Sequence, residues 1–171
     1  MLNKTFFNNL IIIPILILVQ IFVFNNIFFF YKYNPFIYII WIIFYPYNKS
    51  GTYWFLIFSF LLGLGVDCFM DTGGVNAFAS LLIAYLRNPV IRYVSDLHKD
   101  MKLFNFSDIN IIQLASYILL IVSIHHLCLF FLESMKLSML LMVVKDALIT
   151  TVFSFLFIIV IYAFLKNSIE R

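Results

Sequence analysis

Leu10 to Val19 contains no polar side chain, and Phe153 to Leu165 contains no charged one. Runs of this kind recur along the chain and decide which solvent it can fold in. Hydrophobic residues fill 64% of the 171 positions and charged residues 11%, against roughly 45–50% and 25% in soluble domains. A chain of this size has too little interior to hide that much apolar surface from water. A soluble globular domain, a disordered tail and a disulfide-stapled secreted module are excluded on this ground. Eleven Lys and Arg against eight Asp and Glu leave no basic footprint for nucleic acid. The remaining solvent is a lipid bilayer. Strands of a lipid-facing barrel alternate apolar with polar residues. These runs do not alternate, so the spans are read as helices.

A spanning helix takes roughly 20 apolar residues, so about six would use most of the chain and leave no room for a soluble domain. Residues 1–171 therefore read as one integral membrane domain, an all-α polytopic bundle of about six transmembrane helices. The spans are expected near Phe6–Phe24, Asn34–Tyr45, Tyr53–Met70, Val75–Leu86, Ile109–Leu132 and Met139–Leu165. No small-x-small cleavage site follows Phe24, so the first run reads as an uncleaved span rather than a signal peptide. The second run is short and ends at Pro46. Ser107-Asp108 is the expected N-cap of the fifth. Cys68 and Cys128 lie in or near apolar runs without metal or redox spacing, and read as packing residues.

Charge orients the bundle. With the N-terminus in the cytoplasm, the inside segments hold Lys4, Lys49, Arg87, Arg92, Lys99, Lys102, Lys166 and Arg171, and the outside segments hold Lys32 and Lys136. This is a positive-inside bias with both ends cytoplasmic. The loop at 87–108 is then cytoplasmic, with Arg87, Arg92, Lys99 and Lys102 on its surface. Asn88-Pro89 is expected to end the fourth span. Beyond it, Val90, Val94, Leu97, Met101 and Phe104 recur at helical spacing, opposite Arg92, Asp96 and Lys99. That pattern suits a short amphipathic helix on the inner membrane surface, or an extension of the fourth span packed on its own bundle.

Helices associate in lipid through close packing of small residues and buried hydrogen bonds. Ser59, Gly63 and Asp67 repeat every four residues on the third span, and Gly73, Ala77, Ser80 and Ala84 give the fourth one smooth face. The turn Asp71-Thr72-Gly73-Gly74 joins them, which predicts a close antiparallel hairpin. Asp67 within a span needs a partner or a wet cavity; it either caps or bonds the neighbouring helix, or contacts an ion or a partner. The sixth span carries Asp146, Thr150 and Ser154 on one stripe. Asp67 and Asp146 are expected at similar depth, in a buried polar cluster with His126 or Lys145 as counter-charge and Thr150 beside them. Gln113, Ser116 and Ser123 share a face of the fifth span. His125-His126 near its outer end read as interfacial residues rather than ligands, because no third ligand has suitable spacing. No cofactor or metal is expected.

The chain lacks HExxH, GxSxG and P-loop motifs. The stretch Gly63-Leu-Gly65-Val-Asp67 is superficially similar to the GxGD motif of intramembrane aspartyl proteases, but Val66 separates the second Gly from the Asp. Those enzymes also need a second aspartate, so that one carboxyl acts as acid and the other as base. Asp146, near a helix end, is a poor nominee.

The segments Gly63-Leu-Gly65-Val-Asp67, Gly73-Gly74-Val-Asn-Ala77 and Ala84-Tyr85-Leu86 resemble the rod shape-determining protein family MreD, small multi-pass bacterial inner-membrane proteins. Gly63, Asp67, Gly74, Ala77, Ala84 and Tyr85 match that family's central hairpin in order. The specific likeness covers about Leu61 to Arg92. The resemblance implies a non-enzymatic role in the cell-elongation complex, docking an MreC-like protein and, through it, MreB, RodA and a class B penicillin-binding protein. It also implies a fold similar to the substrate-binding S components of energy-coupling-factor transporters, a likeness that says little about activity. The alternative reading is a transport component binding a small solute in an outer-facing cavity lined by Asp67, Asn76, His126 and Asp146.

Overall fold

The structure, a computed structural model, describes residues 4–46, 52–95, 106 and 109–169. Among them the regular elements are helical: α1 Lys4–Phe22, α2 Ile40–Phe44, α3 Thr52–Met70, α4 Val75–Ser95, α5 Ile111–Ser134 and α6 Leu140–Ile169. An isolated bridge between Phe29 and Tyr33 is the one β pairing among the described residues. Four segments, Asn8–Asn26, Thr52–Met70, Ile111–Ser134 and Leu140–Phe164, are long and apolar enough to cross a membrane. The helices form a bundle in which α1 packs on α3, α3 on α4, α4 on α5 and α5 on α6.

The second expected span is not a helix along its length. Only Ile40–Phe44 is helical; residues 34–37 take no regular structure and 38–39 form a turn. Length supplies the reason. The twelve residues Asn34–Tyr45 would rise only about 18 Å as an α-helix, well short of a hydrocarbon core of about 30 Å. Non-helical backbone can advance further per residue, up to about 3.3 Å when extended, and so narrows the gap. The contacts trace the path. Tyr33 bonds Asp146 on α6, Phe36 bonds Ser154 and Phe44 stacks on Tyr162 at 4.9 Å. From Asp146 to Tyr162 α6 rises about 24 Å. On α5 the order is reversed, with Tyr38 at His125 and Ile43 at Tyr117. The segment therefore threads the bundle alongside α6 and against the direction of α5. Phe36, Ile37, Tyr38, Ile39, Trp41, Ile42 and Ile43 are all buried, so it runs through protein and not along lipid.

The α3–α4 hairpin is tight. A Cβ on Gly63 would sit against the Asn76 carbonyl oxygen and 2.7 Å from Ala77 Cα, so the two helix backbones touch where Gly63 lacks a side chain. Ser59, Ala77, Ser80 and Ala84 are buried in the same seam, and Ser59 Oγ donates to the Phe55 carbonyl at 2.7 Å. Gly73 and Gly74 serve differently from the expected packing face. They lie in the turn with φ of +63° and +94° and open space about them, so their role is conformational. Tyr85 leaves the seam and is 70% exposed.

Two boundaries move. The cap of α5 is Asn110 rather than Ser107-Asp108, which lie outside the described residues. Asn110 Oδ1 accepts from the Gln113 amide at 2.8 Å, and Gln113 Oε1 accepts from the Asn110 amide at 3.2 Å, a reciprocal capping box. Pro89 does not end α4, which continues to Ser95. Proline costs one backbone bond and a clash inside a helix. Burial of Arg87 and Ile91 on either side, and the Ser95 hydroxyl donating to Ile91 O at 2.6 Å, hold the helix through it. Val90 and Val94 thus belong to an extension of α4. The rest of the expected amphipathic helix, with Asp96, Leu97, Lys99, Met101, Lys102 and Phe104, lies outside the described residues.

Gly63→Leu forces α3 and α4 apart and is expected to destabilise the protein by about 3 kcal/mol or more. Thermal unfolding in detergent, followed by circular dichroism, should show a markedly lower midpoint; an unchanged one would contradict the close approach.

Candidate functional site

The polar side chains of the bundle collect along the threaded segment. An unsatisfied N–H or C=O in the low-dielectric interior costs several kcal/mol, and residues 33–39 have no helical ladder to meet that need. Gln20 of α1 supplies part of it. Its Oε1 accepts from the Ile37 amide at 2.7 Å and the Tyr38 amide at 3.2 Å, while its Nε2 donates to Pro35 O at 3.1 Å and Asn25 Oδ1 at 2.8 Å. Both donors and both acceptor positions of the amide are thereby used. Ser154 Oγ accepts from the Phe36 amide at 2.9 Å. Tyr117 Oη donates to Ile43 O at 3.0 Å, and Arg87 Nη2 donates to Tyr45 O. Helices α1, α4, α5 and α6 each contribute one of these side chains.

At the level of Tyr38 the segment joins a second network. Tyr38 Oη lies 3.1 Å from Asn76 Oδ1, 2.8 Å from His125 Nε2 and 3.4 Å from Ser80 Oγ. A phenol donates once, and Asn76 Oδ1 can only accept. The consistent assignment has Tyr38 donating to Asn76 and accepting from Ser80 and from His125 Nε2–H. His125 Nδ1 is then a bare acceptor, and it is the buried side-chain polar atom without a partner among the described residues. An unpartnered acceptor costs less than an unpartnered N–H would, which supports that tautomer. His126 bonds Thr151 Oγ1 through Nδ1 at 3.0 Å and approaches Ser154 Oγ at 3.5 Å. Both histidines are fully buried, so the expectation that they are interfacial is corrected.

Asn76 passes the network on to Asp67. Asp67 Oδ1 accepts from the Asn76 amide at 3.0 Å, from Asn76 Nδ2 at 3.1 Å and from the Thr72 hydroxyl; Oδ2 accepts from the Ala77 amide at 2.7 Å. The first amides of a helix have no intrahelical acceptor. The carboxylate at the end of α3 satisfies two of them at the start of α4, where the helix dipole also favours negative charge. Asp67 is thus a cap delivered from the preceding helix.

The expected single cluster of Asp67, His126, Lys145, Asp146 and Thr150 is not formed. Asp146 instead holds Lys32 Nζ at 2.6 Å and Tyr33 Oη at 2.8 Å, and this bond raises the Lys32 pKa above its ordinary value. Lys145 is exposed, and the Thr150 hydroxyl turns back to its own helix at Asp146 O, 2.8 Å away. The packing order explains the separation: α4 and α5 lie between α3, which carries Asp67, and α6, which carries Asp146. Arg87 likewise departs from the expected cytoplasmic surface. It is only 2% exposed, lies 5.3 Å from the Phe55 ring and 5.8 Å from the Phe106 ring, and its Nε donates to Tyr117 Oη at 3.3 Å. Arg92 is exposed, and Lys99 and Lys102 lie outside the described residues.

Tyr38 and Gln20 are the residues that sequence reasoning did not single out; Ser154 and His125 were named, as part of a polar stripe and as an interfacial residue, without these partners. Gln20 gave a signal, as a lone amide closing the apolar run Leu10–Val19. Among the described residues no group of three His, Cys, Asp or Glu side chains is placed to hold a metal ion. What these side chains do is hold the backbone of residues 35–45 against α1, α4, α5 and α6. Comparison with known protein families, with curated proteins and with solved structures finds no match to this chain.

Two outcomes follow. Gln20→Leu leaves two buried amides and a carbonyl without partners, at about 1–3 kcal/mol each; its unfolding midpoint should fall further than that of Leu18→Ala on the exposed face of α1. Asp67→Ala removes a charged cap and should cost about 2–4 kcal/mol, with Asp67→Asn recovering part of it in the same detergent melt.

Proposed function

We propose that this chain is an MreD-like, six-pass, non-enzymatic assembly protein of the bacterial inner membrane, which docks an MreC-like protein and so positions RodA and a class B penicillin-binding protein near MreB for lateral wall synthesis. One observation carries the reading: the residues behind the resemblance build one hairpin, each with a distinct use. Gly63 lets the helices touch, Asp67 caps α4, Gly74 takes a positive φ, and Ala77 and Ala84 are buried in the seam. Tyr85 remains on the outer surface, available to a partner.

The six-crossing count, with an architecture similar to that of S components, is supported by direction. The threaded segment 33–45 runs parallel to α6 and opposite to α5, and counts as the second pass. Its terminal contact, Tyr45 Oη accepting from Asn9 Nδ2 at 3.4 Å, returns it to the level where α1 begins. An even number of passes with cytoplasmic ends also agrees with the Lys and Arg distribution, which keeps its sense when buried Arg87 is left out. The bundle serves as a stiff post. Apolar side chains on the outer faces of α1 and α6, among them Ile11, Ile15, Leu148 and Leu156, meet lipid or the single helix of a partner. The transport alternative draws less support, because Asp67, Asn76, His126 and Asp146 are each bonded to protein groups and divide among separate networks.

Depletion of the protein in its own bacterium is the test. Cells should round up and lose lateral incorporation of a fluorescent wall precursor. Wild-type protein should restore rods, and Gly63→Leu should not. Depleted cells that stay rod-shaped with lateral labelling would overturn the reading.

A further inference from the structure

Arg87 is a buried cation with no carboxylate paired to it among the described residues. Its Nε and Nη2 are spent on a phenol oxygen and a backbone carbonyl, both neutral. A buried charge held only by neutral groups retains most of its desolvation cost. Nη1 makes no hydrogen bond among the described residues, although it is not one of the sealed, partnerless atoms of the interior. It therefore has access to space.

That space is a cavity of about 310 Å³ with Arg87 in its wall, enclosed by Phe55 and Leu56 of α3 and by Ala84, Tyr85 and Asn88 of α4. The lining is mainly apolar, with Arg87 and Asn88 as hydrogen-bond donors. Its depth is set by Thr52, the first residue of α3, and by Tyr45, the end of the threaded segment, which also line it. The cavity thus lies where a spanning helix leaves the hydrocarbon and meets the headgroups. Exposed Tyr53 and Trp54 at the start of α3, and Tyr85 and Tyr93 on the last turns of α4, flank it over about 12 Å of helix, as interfacial aromatics do. By the distribution of Lys and Arg this is the cytoplasmic leaflet, which is rich in anionic lipid.

We infer that this cavity binds the phosphate of an anionic phospholipid, with Arg87 as its counter-ion, Asn88 as a second donor and the apolar walls against the glycerol and upper acyl chain. Guanidinium is suited to the role, because its planar fork matches phosphate oxygens and two aromatic rings already hold it in place. The apolar walls and the opening at lipid level favour a lipid phosphate over free phosphate. The inference rests on the bilayer reading and on the cytoplasmic placement of this end of the bundle, and is independent of the role in cell elongation.

The test uses the full chain in detergent, with phosphatidylglycerol, phosphatidylcholine or inorganic phosphate added, read by native mass spectrometry and by melting. The wild type should retain one phosphatidylglycerol about tenfold more tightly than phosphatidylcholine, the gain expected of one charge-assisted contact. Arg87→Gln should erase that preference. Asn88→Trp fills the cavity from a half-exposed position and keeps the cation. It should lose the lipid while melting, before any lipid is added, as the wild type does, and it carries the test if Arg87→Gln fails to fold. Equal retention of both lipids by the wild type would overturn the inference, as would undiminished phosphatidylglycerol on Asn88→Trp. Inorganic phosphate that displaced phosphatidylglycerol and matched its stabilisation would also overturn it, assigning the site to a free anion.

Discussion

The backbone of residues 33–39 carries hydrogen-bonding groups through an apolar medium without a helix to satisfy them, and the rest of the bundle is arranged around that constraint. Non-helical backbone at membrane depth survives only inside protein. Gln20 and Ser154 spend side chains on this stretch, and Tyr117 and Arg87 on the carbonyls of Ile43 and Tyr45 that follow it. Their helices cannot slide or rotate independently without leaving a buried amide or carbonyl bare. Polar groups that look like scattered exceptions in apolar runs are thus the register marks of the fold.

The α3–α4 hairpin meets a related constraint with other means. Its seam has no room for side chains at Gly63, so the helices approach to backbone contact, and the carboxylate of Asp67 reaches the first amides of α4. Asn76 links this cap to Tyr38, and Tyr38 links it to His125. The hairpin and the threaded segment therefore share one continuous set of hydrogen bonds.

The parts legible from sequence are those decided by local pattern. The long apolar runs of the first, third, fifth and sixth spans were visible because lipid demands uniform composition over a helix length. The small-residue seam was visible because its period is helical. The non-helical stretch before α2 was not, since a short apolar run has the same composition in either conformation and its partners are as remote as Ser154. The split between Asp67 and Asp146 was not, because periodicity assigns a residue to a face but not to a neighbour. Arg87 was misplaced for a similar reason: counting basic residues treats each as solvated, whereas here Phe55 and Phe106 flank the guanidinium and Tyr117 accepts from it.

The threaded segment also has a history within each molecule. A ribosome delivers Gln20 before residues 33–39, but Tyr117, His125 and Ser154 only long afterwards. In the interval the nascent stretch has Gln20 and, once α4 is made, Asn76 and Ser80 at Tyr38. Its final position is therefore completed late, when the last helix leaves the insertion machinery and closes against it. Assembly of this bundle ends in its middle.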